Sequence, residues 1–83
     1  MSAEPAARES IVERRARLVR EEVSEIAMRL FIARGFGGVS VDDIAAAADM
    51  SQRTFFRYFA TKDEIVLQYE RQLRSRLHEA VWL

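Results

Sequence analysis

The chain has 83 residues, no cysteine and a formal net charge of zero, with 13 Lys and Arg against 13 Asp and Glu. This length allows one small domain, and the lack of thiols excludes disulfides and thiolate metal sites. Hydrophobic residues make up 49% and only 3 Gly and 1 Pro occur, which excludes a disordered tail and favours helices over strands. Because the N-terminal segment is polar and no apolar run could span a bilayer, we expect a cytoplasmic protein without membrane contact.

The first predicted element is a long amphipathic helix that ends at Gly35. Its buried stripe consists of Val19, Val23, Ile26, Ala27, Leu30 and Phe31. Residues 1–16 are predicted to form a polar N-terminal arm, which can be partly helical because Ile11 and Leu18 also fit helical spacing. Gly35 favours the positive φ that follows a helix C-terminus, and Phe36 is expected to fold back onto the helix end.

A second, short helix is predicted to start at Ser40. Ser40 and Asp43 have the spacing of a capping box, with Asp in place of the usual Glu. The inner face is expected to contain Val41, Ile44, Ala45 and Ala48. The small alanines would allow the next helix to approach closely.

A third helix is predicted from Gln52 to about Phe59. The interruption before it contains Asp49, which is tolerated where a turn needs a left-handed backbone, and Ser51, a favourable N-cap. Phe55 and Phe59 lie four residues apart and are expected to face the core.

The fourth predicted helix starts at Thr61, where Thr61 and Glu64 match a capping box. Its expected inner stripe is Ile65, Tyr69, Leu73, Leu77 and Val81, with Val66 and Ala80 beside it. Leu67, Trp82 and Leu83 fall outside this stripe, and apolar residues outside a buried face indicate a second surface to be covered.

Two short helices joined by about three residues have the geometry of a helix-turn-helix unit. The N-terminal residues of its second helix enter the DNA major groove. Arg53 can donate two hydrogen bonds to guanine, Gln52 can pair with adenine, and Phe56 can touch a thymine methyl group. Thr54 can reach a base or a phosphate. The side chains suited to phosphates are Arg57, Tyr58 and Lys62.

The neutral net charge argues against a nucleic-acid binder, but the charges are unevenly distributed. Arg53, Arg57 and Lys62 form a cluster with no acid between Met50 and Lys62. The arginines of the first quarter are Arg8, Arg14, Arg15, Arg17 and Arg20. Because glutamates are interleaved with them, we favour a solvated tail over an arm that lies along DNA.

Four runs of the chain match a known family in order and spacing: AMRLFIARGF at 27–36, VSVDDIA at 39–45, SQRTFFRYF at 51–59 and KDE at 62–64. From about residue 18 to residue 66 the chain resembles the N-terminal domain of the tetracycline-repressor-like (TetR) regulators. The resemblance implies an all-α, homeodomain-like three-helix bundle with a helix-turn-helix over 17–60. It also implies that 61–83 start a linking fourth helix and that the family's C-terminal ligand-binding domain is absent.

The resemblance implies sequence-specific DNA binding by a bacterial-type transcriptional regulator, which in this family is usually a ligand-responsive repressor. Family members bind palindromic operators in double-stranded DNA as homodimers and release them when a small molecule binds the C-terminal domain. We therefore expect the chain to be a fragment that is monomeric or weakly associating, with no cofactor, metal or catalytic residue of its own.

Carried over residue by residue, the resemblance places base contacts at Gln52, Arg53, Thr54 and Phe56. It places phosphate contacts at Ser40, Val41, Arg57, Tyr58 and Lys62. Two positions depart from the family pattern, since Asp49 replaces a Gly and Phe56 replaces a Tyr whose hydroxyl can reach a phosphate. Val41 has only its backbone N–H to offer a phosphate.

Three other interpretations remain open. A helical protein-interaction module without DNA binding would account for the zero net charge and the uncovered apolar residues of the fourth helix. An enzyme fragment is disfavoured because no acid pair or nucleophile–base pair is evident, and His78 has no Cys or second His beside it for zinc. Another helix-turn-helix class is disfavoured by the TFFRYF run with Lys62 three residues after Phe59.

Overall fold

The computed structural model describes residues 9–82, with side-chain environments described over 9–78. Its helices are α1 (Ile11–Arg34), α2 (Val41–Ala47), α3 (Gln52–Tyr58) and α4 (Lys62–Trp82), with a short 3-10 helix (Phe36–Gly38) between α1 and α2. No strand occurs within the described range, so the predicted all-α class is confirmed. None of these helices is long and apolar enough to cross a membrane.

The N-terminal end of α1 is closed by a complete capping box. The Ser10 hydroxyl accepts from the Glu13 backbone N–H at 3.0 Å, and the Glu13 carboxylate accepts from the Ser10 N–H at 2.9 Å. The helix therefore begins at Ile11, inside the segment 1–16 predicted as an arm. Residues 1–8 of that arm, with Arg8, lie outside the described residues.

The C-terminal end of α1 confirms the predicted glycine stop. Gly35 has φ 82° and ψ 153°, a region that side chains rarely adopt, and its N–H donates to the Phe31 carbonyl at 2.7 Å. The Phe36 ring folds back as expected, with its centre 4.9 Å from that of Phe31.

The helix-turn-helix connection also forms as predicted. Ser40 and Asp43 make both capping-box bonds, at 2.9 and 3.0 Å. Asp49 adopts the left-handed backbone, with φ 58°. The Ser51 hydroxyl accepts from the Thr54 N–H at 3.0 Å and starts α3. These local bonds define where α2 begins, where the turn lies and where α3 begins.

The core gathers one side of every α-helix around α1. Its members are Val23, Ala27, Phe31, Val39, Ile44, Ala45, Phe55, Phe59 and Ile65, each at most 7% exposed. Phe55 and Phe59 of α3 are buried as predicted, and the inner face of α2 is confirmed, with Val41 and Ala48 half-buried beside the core.

The predicted inner stripe of α4 is wrong beyond its second turn. Ile65 is buried and Tyr69 half-buried, but Leu73 and Leu77 are 40% and 64% exposed, and Gln72 is buried instead. Steps of four residues advance by about 40° around a helix, whereas a step of seven returns to within about 20° of its start. Residues spaced four apart from Ile65 therefore turn progressively away from α1. Position 72, seven residues after Ile65, still faces α1.

The start of α4 differs from a standard capping box. The Thr61 hydroxyl accepts from the Glu64 N–H at 3.4 Å, but the Glu64 carboxylate accepts from the N–H of Ala60 at 2.9 Å rather than from that of Thr61. At the other end of the helix, the expectations for Ala80, Val81, Trp82 and Leu83 lie outside the residues whose side chains are described.

Candidate nucleic-acid interface

The helix α3 has one anchored face and one open face. The Phe55 ring is fully buried, and its centre lies 5.6 Å from that of Phe59 and 5.4 Å from that of Phe56. Because Phe55 and Phe59 face the core, the helical period turns the predicted base-contacting residues outward. All four of these residues are exposed or half-buried: Gln52, Arg53, Thr54 and Phe56.

Two of these side chains are already oriented by neighbouring residues. The Gln52 Nε2 donates to the Asp42 Oδ1 at 3.1 Å, which links the first turns of α3 and α2. The Ser51 hydroxyl donates to the Thr54 Oγ1 at 3.0 Å. Because the Thr54 oxygen accepts here, its own hydroxyl hydrogen can be donated outward.

Two arginines supply the open positive charge of α3. Arg53 and Arg57 are exposed, four residues apart on one side of the helix, and neither has an ion pair or hydrogen bond within the part of the chain that the structure describes. A guanidinium has five N–H donors, so both side chains can bind guanine edges or phosphate oxygens.

The N-terminal end of α2 lies beside this face. The Ser40 hydroxyl and N–H are both bonded to Asp43, so the side chain acts as a cap. The half-buried Val41 offers the backbone N–H of the first turn, which has no acceptor within the helix. Helix starts of this kind attract phosphates.

The pKa of Asp43 is lowered from its ordinary value of 3.8 by hydrogen bonds from Ser40 and by the charge of Arg34, whose Nη1 lies 3.5 Å from the carboxylate. A lowered pKa means that the carboxylate stabilises the fold above the ordinary value, and that this is lost as the pH falls through the lowered one. We therefore expect the difference in free energy of unfolding between wild type and Asp43→Asn to shrink below pH 3.8. Urea unfolding of both variants, from pH 6 down to the lowest pH at which the protein is still folded, measures this difference. A difference that does not change with pH would contradict a stabilising role for the Asp43 carboxylate at the start of α2.

Tyr58 is half-buried at the C-terminal end of α3. It lines a cleft of about 330 Å³ together with Arg20 of α1 and Arg71 of α4. The phosphate contact predicted for Tyr58 stays a prediction, and its surroundings contain two cations that sequence reasoning did not associate with it.

Lys62 makes structural contacts within the protein that were not predicted from the sequence. Its ammonium group donates to the carbonyl oxygens of Phe36 and Val39, both at 2.8 Å, and lies 4.3 Å from the centre of the Phe36 ring. Two of its three hydrogens are therefore used inside the protein, which leaves one for a phosphate. The lysine fastens the start of α4 to the loop that precedes α2.

The N-terminal arginines are partly neutralised on α1. Arg17 pairs with Glu9 at 2.8 Å and with Glu21 at 3.3 Å. The pKa of Glu9 is lowered chiefly by its hydrogen bond with Arg17. Arg17 is thus occupied by carboxylates of its own chain, unlike Arg53 and Arg57.

Comparison with known proteins identifies the family. The sequence profile of the bacterial regulatory proteins of the tetR family matches residues 25–69, more than half of the chain. A protein of Mycobacterium tuberculosis described as a mycofactocin biosynthesis transcriptional regulator (MftR) is 51% identical over 57 residues, which are 69% of this chain and 29% of its own. No solved structure gave a significant match.

Two further relatives agree. The HTH-type transcriptional regulator TcmR of Streptomyces glaucescens is 40% identical over 66% of this chain and 24% of its own. The HTH-type transcriptional repressor DhaR of a Mycobacterium species is 30% identical over 76% of this chain and 32% of its own. The chain thus spans about a quarter to a third of the length of these relatives. It belongs to the tetR family of bacterial regulatory proteins, as a helix-turn-helix DNA-binding domain of a transcriptional regulator.

Proposed function

We propose that the chain binds double-stranded DNA with the N-terminal half of α3 in the major groove. Gln52, Arg53, Thr54 and Phe56 contact base edges, while Ser40, Val41, Arg57, Tyr58 and Lys62 contact phosphates. The observation that carries the proposal is the pair of exposed guanidinium groups on α3, which no acid of the described chain neutralises. Positively charged side chains without a partner, on a helix that is held by buried residues, indicate that the helix binds an anion outside the chain.

The test is a titration of labelled protein with a short duplex, followed by backbone amide NMR. A lone module should bind random duplex with a Kd of roughly 10⁻⁴ to 10⁻⁶ M, and the affinity should fall steeply with salt. Shifts confined to residues 40–43 and 51–62 would support the proposal. Shifts centred on the exposed Leu73 and Leu77, or a silent spectrum at millimolar DNA, would favour the alternative of a protein-interaction module.

Substitution of the two arginines should separate their roles. Arg57→Ala should weaken binding to all sequences alike and reduce the slope of log K against log salt by about one unit. Arg53→Ala should lose about 1–3 kcal/mol of discrimination at one base pair. Arg74→Ala is the matched control, because Arg74 is also exposed but lies about 18 Å along α4 from its start. An Arg53→Ala variant with intact discrimination would contradict the base contact.

For the whole regulator we propose homodimeric binding to a palindromic operator, with repression relieved by a small-molecule effector. The similarity to three proteins named as transcriptional regulators, one of them a repressor, supports this proposal. The effector would bind the part of the relatives that this chain does not span. The chain itself is then monomeric or weakly associating.

A further inference from the structure

A single hydrogen bond joins the two helices of the helix-turn-helix unit at their N-terminal ends. The Gln52 Nε2 lies 3.1 Å from the Asp42 Oδ1, and both side chains are exposed on the surface that carries Arg53. Asp42 is an acid on a face otherwise suited to phosphates, where its charge opposes DNA binding. Asp42 also lies in the first turn of α2, where an acid stabilises the start of a helix, and its contact with Gln52 gives it a second role there.

The chemistry of the two groups fixes which way the Gln52 amide points. An ionised carboxylate has only acceptor atoms, whereas an amide has a donor end and an acceptor end. Only the NH₂ end of Gln52 can therefore face Asp42. The carbonyl Oε1 and the second Nε2 hydrogen are left for an external partner.

We propose that Asp42 is a positioning residue that sets the base preference of Gln52, an inference that rests on the proposed function. An outward Oε1 needs an N–H donor, which adenine N6 and cytosine N4 present in the major groove. Adenine also presents N7 as an acceptor for the remaining Nε2 hydrogen. Guanine O6 and thymine O4 are acceptors, so they can bind only the remaining Nε2 hydrogen and they oppose the amide oxygen. Asp42 thus selects adenine first and cytosine second at the base pair that Gln52 reaches.

Removal of Asp42 should change two quantities in opposite directions: the discrimination between bases should fall and the affinity for DNA of any sequence should rise. Without the carboxylate, the Gln52 amide can rotate by 180° and present its NH₂ group to guanine or thymine, so discrimination falls. Removal of a negative charge from the DNA-facing surface raises the affinity for duplexes of any sequence. A residue with a merely structural role would lower both quantities when replaced.

The first measurement uses the free protein. The side-chain amide resonances of Gln52 should shift in Asp42→Ala and stay unchanged in Asp63→Ala. Asp63 is a matched control, since it is an exposed acid in the first turn of α4 with no partner among the described residues. This step tests the contact without reference to DNA.

The second measurement selects the preferred duplex of the 83-residue chain from a randomised pool. It then compares, by fluorescence anisotropy, the Kd for that duplex with the Kd after each base change at the position sensitive to Gln52→Ala. The wild type should favour adenine over guanine or thymine by about fivefold or more. Asp42→Ala, and Asp42→Asn with its reversible amide, should reduce this ratio at least threefold and bind random duplex more tightly. Asp42→Ala/Gln52→Ala should discriminate no less than Gln52→Ala alone, and Asp63→Ala should keep the wild-type ratio.

Several results would overturn the inference. Unchanged Gln52 resonances in Asp42→Ala, an unchanged adenine ratio in that variant, or a preference for guanine or thymine in the wild type would each reject it while leaving DNA binding intact. An equal loss of affinity for preferred and random duplexes would assign Asp42 a structural role only. If the wild type binds no duplex at all, the proposed function fails first and the inference fails with it.

Discussion

Replacement of Phe55 by alanine should remove a large part of the stability of the domain. The ring is fully buried at the centre of the core and packs against Phe59, so its loss leaves a cavity between α3 and the rest of the core. Such a truncation costs about 3–5 kcal/mol. A domain of this size is stabilised by only roughly 4–12 kcal/mol in total. Urea unfolding followed by far-UV circular dichroism should show a much lower midpoint.

Phe56→Ala provides the control, because it removes the same atoms from the neighbouring position. Phe56 is 50% exposed, and its ring lies edge-on to that of Phe55, with 5.4 Å between the ring centres. We expect a loss of about 0.5–1.5 kcal/mol, the value of one aromatic pair. Equal midpoints for the two variants would contradict the orientation of α3, and with it the face assigned to DNA.

Substitution of Ser24 should also lower the stability of the domain, through the polar contact between α1 and α4. The fully buried Ser24 hydroxyl donates to the Gln72 Oε1 at 2.5 Å, and the Gln72 Nε2 lies 3.5 Å from Glu25. Ser24→Ala removes one of two donors from the Gln72 Oε1, which keeps the Gln68 Nε2 at 3.2 Å, so we expect a loss of about 0.5–1.5 kcal/mol, the value of one hydrogen bond. Thermal or urea unfolding measures the difference in the free energy of unfolding.

The double variant Ser24→Ala/Gln72→Leu distinguishes a lost hydrogen bond from lost packing. Apolar groups of similar shape replace the buried Ser24–Gln72 pair. The other partners of Gln72 are not buried without an alternative, because Gln68 is half-buried and Glu25 keeps Arg76 at 2.7 Å, so the double variant should be more stable than Ser24→Ala. Ser75→Ala, an exposed serine of α4, serves as a control and should change stability by less than about 0.5 kcal/mol. A double variant less stable than Ser24→Ala would show that the polar pair is stabilising in itself.

Local signals in the sequence were sufficient to predict the helix ends of the DNA-binding unit. The capping box of Ser40 and Asp43, the glycine at 35 and the left-handed Asp49 each depend on neighbours within a few residues. Such short-range bonds can be recognised from the neighbouring residues of the sequence alone. The same holds for Phe55 and Phe59, whose spacing of four within a short helix leaves little room for drift.

The features that were not predicted depend on how the helices are placed in space. The partners of Lys62 lie 26 and 23 residues earlier in the chain. Gln52 and Asp42, which bond to each other, are ten residues apart and on different helices. The burial of Gln72 depends on the crossing of α4 over α1, which no local pattern encodes. These long-range contacts orient the candidate DNA-binding face, so its residues could be named from sequence but their orientation could not.

Side-chain contacts hold α4 at its start through Lys62, at its third turn through Gln72 and at its fourth turn through Arg76, whose Nη2 lies 2.7 Å from the Glu25 Oε2 of α1. Lys62 holds the start of the helix to the loop before α2, and Gln72 holds the third turn to α1, about 15 Å further along the axis. A helix held at separated points along its axis resists both rotation about that axis and sliding along it. A displacement applied to α4 beyond residue 76 is therefore opposed by its contacts with α1 and by the bonds of Lys62 to the loop that carries the first turn of α2.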